Sequence, residues 1–592
     1  MSIDLEPRPR GQVSEVLEAT PGPLSFLPRG TLRWVTLIVI AWIFFVPIVR
    51  LVILSFSTDV FPTVANYVEV LSESRTWRTI QNTAVVSLIG TVISLLFGAG
   101  LAWLVAYSDI RWKGLVHALV MLPFILPGYL YTIAWVEFVS PGSWPTRLVG
   151  LLPGIEMTDV TLFSLPGIAF ILGLRHMPLV YLLTVGVLRG IPRQLEQAGR
   201  VSGAGPLTVF RRVTLPMALP GIVAGGVLAF LSNLDNFGIP AVLGIPARIS
   251  VLSTLIYEEV VSFGPVAFAR AAVLSVILGV LALIGVGIQQ LILRRSKVSD
   301  TRTEDRQPRF SLRWARWPVQ AVLLAGLVIL SVLPLISMAM SSVSSALGVP
   351  VTWDTISFEN YRIAILDNEG TLRALRNSLQ LALGVAVIGL VIATGVAYQR
   401  TRRGGWAAQL MDSAISLPYA LPGLVIALAM IFAWLQPIPG LDWNPGLYGT
   451  AGIILIAYVV RFTYYQLRAM VTGFLQVDPK MEEAARISGV GRFHTWRRIM
   501  IPLLLPAVVS GTALVIFVAL TELTVSSLLW SSGAETIGVR VYGFRAAGYS
   551  RYAAALSSTI VIGLLVSMGL LSLFTRVWRR RTHTQTSIGD RV

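Results

Sequence analysis

Charged and amide side chains that interrupt apolar segments are the first candidates for chemistry in this sequence. Arg175 and Arg461 lie inside two such segments at an offset of 286 residues, and Asp235, Asn236 and Glu522 lie late in two others. A charge inside a membrane is costly unless it is paired or faces water. We therefore interpret these five residues as candidates for a translocation path or gate, where acidic groups would contact a passing cation or seal the outer end.

A structural role is the alternative for each of these residues. The two arginines could bond helix carbonyls at a helix interface, and the acidic and amide groups could lie at a pore mouth without touching substrate. Four prolines in two other apolar segments remove backbone donors and predict kinked helices, which could form part of a gate or only pack: Pro123, Pro127, Pro418 and Pro422.

Several chemistries are excluded by composition. The chain has no cysteine, so disulfides and thiolate chemistry are ruled out, and its four histidines are scattered without metal-ligand spacing. No phosphate-binding GxxxxGK[ST] loop is present, so the chain is not expected to hydrolyse ATP. We predict no catalytic residue, no metal site and no cofactor in this chain.

Two polar loops carry one pattern twice. Alanines and charged residues favour a short helix, a glycine with access to positive φ ends it, and a proline opens the next apolar segment. The product is a helix–turn–helix that offers a turn to a soluble partner, although an ordinary basic membrane anchor is the alternative. The residues are Glu196, Gln197, Ala198, Gly199, Gly203 and Pro216 in the first loop, and Glu482, Glu483, Ala484, Ala485, Gly489 and Pro502 in the second.

The surrounding elements are predicted to be membrane helices. Hydrophobic residues make up 55% of the 592-residue chain and charged residues only 13%, against about 25% in soluble domains. Apolar runs of about 20 residues, enough to cross a bilayer as a helix, recur throughout. We predict twelve spans, at 32–55, 81–106, 115–139, 162–187, 215–238, 269–293, 319–340, 378–398, 412–435, 447–469, 502–530 and 556–577.

The distribution of charge predicts the orientation. Arginine and lysine account for a net charge of +17 and concentrate in alternate loops, including both candidate loops, the 294–318 linker and the C-terminal tail. The intervening loops hold more acidic residues, so the positive-inside rule places both termini in the cytoplasm. We predict a multi-pass protein of the plasma (inner) membrane, with the lipid bilayer rather than nucleic acid as the partner of this charge.

The two halves of the chain repeat each other. Gly203 matches Gly489 and Pro216 matches Pro502 at an offset of 286, whereas Asn82 matches Asn377 at 295. Both halves begin on the same side, which indicates a parallel repeat. The predicted fold is all-α, with two six-helix halves and these segments: a cytoplasmic N-terminal segment at 1–30, a first half at 31–293, a linker at 294–318, a second half at 319–578 and a cytoplasmic tail at 579–592.

The second loop resembles the signature of permease subunits of binding-protein-dependent ABC importers, E-A-A-x3-G-x9-I-x-L-P. It departs only at Ile501, whereas the first loop departs at Gln197 and Gly199, which indicates unequal docking. The resemblance implies a MetI-like architecture in which each loop docks an ATPase. It also implies two ATPase copies that use the ATP, and an extracytoplasmic solute-binding protein that delivers the substrate.

The stretches 234–244 and 520–542 look most like the fused ferric-iron permeases, so the resemblance implies ferric iron as the substrate. Thiamine, phosphonate and polyamine importers remain alternatives within the class. A twelve-helix secondary transporter is the main alternative outside it, since such proteins also have two six-helix halves. A membrane scaffold or assembly factor without a pore is the third.

Overall fold

The computed structural model describes residues 31–56, 63–150, 161–262, 267–295, 305–346, 349, 351–435 and 444–589, with the backbone alone at 31–36, 293–295 and 574–589. Within these residues the regular structure is helical, apart from two isolated β-bridges. The predicted segment 1–30 and the linker residues 296–304 lie outside the described residues. The all-α prediction is confirmed.

The helices of the first half follow the order expected from its apolar segments. They are α1 (Thr31–Ser55), α2 (Ala65–Ser72), α3 (Ser74–Tyr107), α4 (Lys113–Ile125), α5 (Gly128–Val139), α6 (Trp144–Val149), α7 (Leu165–Gly190), α8 (Arg193–Val201), α9 (Pro206–Val209), α10 (Leu215–Leu234), α11 (Gly238–Leu243), α12 (Leu252–Val261) and α13 (Ala267–Arg295).

The second half repeats this order. It contains α14 (Arg316–Ser331), α15 (Leu333–Val343), α16 (Glu359–Tyr361), α17 (Glu369–Tyr398), α18 (Trp406–Ala420), α19 (Gly423–Leu435), α20 (Ala451–Gln476), α21 (Lys480–Ile487), α22 (Arg492–Thr495), α23 (Ile501–Leu520), α24 (Ser526–Leu529), α25 (Ile537–Ala546) and α26 (Ser550–Gly589).

The number of spans differs from the twelve predicted. By length and composition, the described residues contain nine helices able to cross a membrane, or up to eleven if each of two bent pairs is one span. The 26-residue helix α20, which carries Arg461 and Arg468, is not among them. The count of twelve is therefore not confirmed, although the two-half pattern of long helices is present.

Two predicted spans, 115–139 and 412–435, are broken rather than kinked. Helices α4 and α5 meet at 105°, and α18 and α19 meet at 112°. Leu126 and Leu421, which precede Pro127 and Pro422, have extended backbone. A residue before proline avoids the α region, and proline has no N–H to continue the helix, so each break falls at these dipeptides.

The helices that follow the breaks form the centre of the core. Every residue from Tyr129 to Phe138 in α5 and from Leu424 to Trp434 in α19 is buried. Helix α19 packs against α1, and α5 packs against α15, the second part of the first long segment of the opposite half. In α1, Arg50 donates to the Ala433 carbonyl (2.8 Å), while Tyr131 of α5 donates to the Leu330 carbonyl of α14 (2.8 Å). The halves therefore share one core.

Candidate functional site

The first candidate loop is a helix–turn–helix, as the sequence predicts. Helix α8 ends in a Schellman motif in which the amides of Gly203 and Ala204 donate to the carbonyls of Arg200 (3.0 Å) and Gly199 (3.1 Å). Gly203 has a φ of +83°, a conformation that favours glycine because it has no Cβ. Gln197 and Ala198 are exposed, and Gly199 is half-buried.

The second loop has the same geometry. Helix α21 ends with the amides of Gly489 and Val490 donating to the carbonyls of Arg486 (3.1 Å) and Ala485 (3.0 Å), and Gly489 has a φ of +72°. Glu483 and Ala484 are exposed, while Ala485 is buried. The structure therefore places the outward residues of the two loops at equivalent positions.

The prolines do not open separate helices, which differs from the prediction. The segment Pro206–Leu234 is one continuous helix, as is Arg492–Leu520, and each has a π-helical turn just before Pro216 or Pro502. A wider turn accommodates the missing proline N–H without ending the helix. Each loop is therefore joined rigidly to the long helix that follows it.

Four exposed apolar side chains in these loops were missed by the sequence interpretation. Val201 and Ile487 are 89% and 87% exposed, and Leu207 and Phe493 are 62% and 74% exposed. Both pairs are related by the same 286-residue offset as the glycines. Matched apolar residues in two polar loops are a signal that could have identified them, and such exposed pairs are typical of an interaction surface.

Glu196 faces inward rather than towards a partner. Its carboxylate accepts from the hydroxyls of Tyr107 (2.7 Å) and Thr214 (2.8 Å), and it lies 2.9 Å from the guanidinium of Arg309. Glu482 accepts from Arg402 (2.8 Å) and Tyr398 (3.1 Å). These two glutamates hold each loop against its own half, whereas the exposed Glu483 remains available to a partner.

Asp235 and Arg461 form an ion pair between the halves. Arg461 of α20 lies 2.5 Å from the Asp235 carboxylate, which also accepts from the Gly423 amide at the break before α19 (2.6 Å). Arg461 donates to the Leu421 carbonyl as well (3.3 Å). The Asp235 side chain is 36% exposed and Arg461 12%, so this pair reaches accessible space.

Arg175, the counterpart of Arg461, has a different environment. It donates to the Phe124 carbonyl (2.5 Å), and its guanidinium lies over the Phe124 ring at 5.3 Å. No acidic side chain of the described residues forms an ion pair with it, and its Nε atom has no hydrogen-bond partner there. This geometry fits the alternative in which Arg175 bonds a helix carbonyl, and it leaves the charge of the guanidinium without an acidic partner among the described residues.

Asn236 and Glu522 lie beyond the helices in which they were predicted. Helices α10 and α23 end at Leu234 and Leu520, before 238 and 530. The Asn236 side chain accepts from the Ile239 amide (3.0 Å), and Glu522, 8% exposed, accepts from the amides of Val525 (2.6 Å) and Ser526 (3.0 Å). Both side chains accept from amides at the start of the next short helix, α11 or α24, as residues that cap helix N-termini do.

No three His, Asp or Glu side chains in the described part of the chain come close enough together to hold a metal ion. Buried His176 bonds Asn233 (2.6 Å), and exposed His117 lies 3.4 Å from the Tyr181 hydroxyl. A metal ion therefore has no evident resident site among these residues.

The sequence matches the family described as "Binding-protein-dependent transport system inner membrane component" twice, over residues 19–298 and 386–583. The chain belongs to this family. The permease domain is thus present in both halves, as predicted from the internal repeat. The match favours the importer class over the secondary transporter and the scaffold left open by the sequence, and members of the family generally work with ATPase and solute-binding partners.

Two relatives cover nearly the whole permease. A probable ABC transporter permease of Sinorhizobium fredii is 23% identical over 530 residues, covering 86% of this chain and 90% of the relative. A ferric transport system permease protein of Actinobacillus pleuropneumoniae is 22% identical over 545 residues, covering 89% and 77%. A molybdenum transport system permease protein of Escherichia coli is 31% identical over 211 residues, covering 35% of this chain and 90% of its own.

Proposed function

We propose that this permease imports ferric iron, delivered by an extracytoplasmic binding protein and driven by two ATPase copies that dock on the loops around Gly203 and Gly489. The main support for two docked ATPases is the pair of loops, which have the same backbone geometry and are joined rigidly to α10 and α23. Ferric transport permeases among the relatives that align over most of the chain support iron.

The proposed mechanism is alternating access. ATP binding closes the two ATPases, the loops move with them, and the continuous helices transmit that movement to α10 and α23. The ion pair between Asp235 and Arg461 joins the halves where such a movement would part or close them. Hydrolysis returns the loops and the halves to their starting positions.

Molybdate is the second candidate. The molybdenum relatives are more similar over the part that they cover, and Arg175, which has no ion-pair partner among the described residues, suits an oxyanion better than a bare cation. Asp235 offers no net negative charge to a cation while Arg461 is bound to it. These observations favour an anionic substrate, or iron that carries anionic ligands.

Uptake assays test both candidates. The permease, co-expressed with its ATPase and binding protein, is assayed in vesicles with ⁵⁵Fe(III) and with ⁹⁹Mo-molybdate, each with and without ATP. ATP-dependent accumulation of iron and not of molybdate supports the proposal, and the reverse replaces it with the second candidate. Uptake of either that follows an ion gradient without ATP contradicts the importer mechanism.

The proposed orientation places both termini and both loops in the cytoplasm. The basic residues of the described loops, including Arg200, Arg211, Arg486 and Arg497, support it through the positive-inside rule. Reporter fusions that fluoresce only in the cytoplasm, placed at each terminus, measure this directly. A dark fusion at either terminus contradicts the orientation.

A further inference from the structure

The linker segment 305–312 lies against the inner side of the first loop. The Asp305 amide donates to the Arg189 carbonyl (2.9 Å), and its carboxylate lies 3.3 Å from Nε of Arg193. Arg193 also donates to the carbonyls of Gln307 (3.2 Å) and Pro308 (3.1 Å). The linker is thus bound to both ends of the turn that connects α7 to α8.

Arg309 extends from this segment into the loop. One terminal nitrogen lies 2.9 Å from the Glu196 carboxylate, and the other donates to the Ile191 carbonyl (2.5 Å). Its guanidinium lies 4.7 Å from the centre of the Tyr107 ring, and the side chain is only 4% exposed. A buried arginine with these partners fixes Glu196, and through it α8.

The second loop satisfies the equivalent acceptors with a different arginine. Arg402 donates to Glu482 (2.8 Å) and to the Val477 carbonyl (2.8 Å), which match Glu196 and Ile191 at the 286-residue offset. Yet Arg402 lies at the end of its own long helix. At the 295-residue offset that relates α3 to α17, its counterpart is Tyr107, an uncharged residue.

We propose that Arg309 is a positioning residue for the first loop, and that the linker supplies there the cation that Arg402 supplies from within the second half. This inference is based on the contacts of Arg309 and Arg402. The significance of the positioning role for ATPase docking rests on the proposed function. Since the linker leads directly into α14, the first loop is tied to the second half as well as to its own. The second loop is held by α17 and α20 of its own half.

Neighbouring contacts hold the linker in register for this task. The Asp109 carboxylate accepts from the Leu312 amide (2.9 Å) and the Ser311 hydroxyl (2.9 Å), and the Leu312 amide in particular lowers the pKa of Asp109. The Phe310 ring lies 5.2 Å from that of Trp103. Arg309 therefore starts from a fixed backbone, which reduces the entropy lost when its long side chain is ordered.

Amide hydrogen exchange on the purified full-length permease tests the proposal without any ATPase present. Arg309→Ala is expected to accelerate exchange over residues 195–201 by about tenfold or more and to leave 481–487 unchanged. Arg402→Ala is the matched variant, and it should accelerate exchange over 481–487 and leave 195–201 unchanged. Each loop thus serves as the internal control for the other, and a monodisperse elution profile shows that the variants are folded.

The decisive experiment moves the positive charge of Arg309 to another position. Adding Tyr107→Arg to Arg309→Ala moves the cation to the position that Arg402 occupies in the second half, although it also removes the Tyr107 hydroxyl that donates to Glu196, so slow exchange over 195–201 should return at least in part. The proposal is overturned if folded Arg309→Ala exchanges like the parent, if both loops loosen equally, or if the added arginine restores nothing. If exchange responds as expected but ATPase retention does not change, the docking role fails and the positioning role stands.

Discussion

The two loops share a backbone and differ in what holds them. In both, a short helix ends at a left-handed glycine and a second helix continues through a π-helical turn into a long helix. Beneath the first loop, Glu196 is held by two hydroxyls and by a linker arginine, whereas beneath the second, Glu482 is held by one hydroxyl and an arginine of its own half.

This difference separates two requirements that the sequence motif combines. The repeated glycine and proline fix the shape that is presented outward, while the residues beneath set how firmly that shape is attached. The degenerate first copy has Gln197 and Gly199 where the second has Glu483 and Ala485, but its inner contacts are the more extensive. We therefore expect the second loop to bind the ATPase more strongly and the first to be at least as firmly held.

The largest effect is expected from replacing the left-handed glycines. Valine at 489 fits the open space around it, but a β-branched residue at a φ of +72° is strongly disfavoured, so the turn should rearrange. Gly489→Val should abolish most ATPase retention and uptake, and Gly203→Val should reduce both by less. The measurement is ATPase co-purification together with vesicle uptake.

Each glycine has a matched control two residues later. Gly491 and Gly205 have φ values of −62° and −66° and open surroundings, so valine there adds no left-handed strain. Gly491→Val and Gly205→Val should retain the ATPase. Equal losses in the test and control variants would show that the turn geometry is not what the partner requires.

A second, smaller effect is expected at the exposed apolar pair. If Ile487 is buried by the ATPase, its transfer is worth about 1.5–3 kcal/mol, so Ile487→Asp should weaken ATPase binding at least tenfold. Val201→Asp tests the equivalent position of the first loop and should cost less. Binding is measured by titrating the purified ATPase onto the permease in nanodiscs; unchanged affinity for both variants would place the partner elsewhere.

A third comparison concerns the two matched arginines, Arg461 and Arg175. Asp235→Asn leaves Arg461 without its carboxylate and should destabilise the permease by about 1–3 kcal/mol, since the pair is only partly buried. Arg175→Met removes a charge that has no acidic partner in the described structure and should change stability less. Thermal unfolding in detergent measures both.

Transport separates the two interpretations of Arg175. If it lines the path, Arg175→Met should reduce uptake far more than it reduces thermal stability. Parallel losses of the two would support a purely structural arginine that bonds the carbonyl at the α4 break.

The sequence predicted the repeat, the loops and the left-handed glycines because these depend on local residue types at a fixed offset. It placed Asn236 and Glu522 inside helices because apolar runs continue past Leu234 and Leu520, whereas their side chains bond amides at the start of the short helices that follow. It did not predict Arg309 or the inward direction of Glu196. Those depend on the contacts of Glu196 with Tyr107, 89 residues away in sequence, and with Arg309 of the linker, which periodicity does not reveal.

The smallest expected effect restores the motif in the first loop. Alanine at 199 favours helix by about 1 kcal/mol over glycine, but its Cβ would lie 3.3 Å from a methyl group of Val209, so part of that gain is lost unless the valine shifts. We expect Gly199→Ala to slow amide exchange in α8 slightly and to raise ATPase affinity by less than about threefold. The matched variant Ala485→Gly should have the opposite sign and a larger magnitude, since Ala485 is buried in a helix that already accommodates it. A strong loss of affinity in Gly199→Ala would mean that the Val209 contact is rigid, and that the glycine is required by the packing of the first loop.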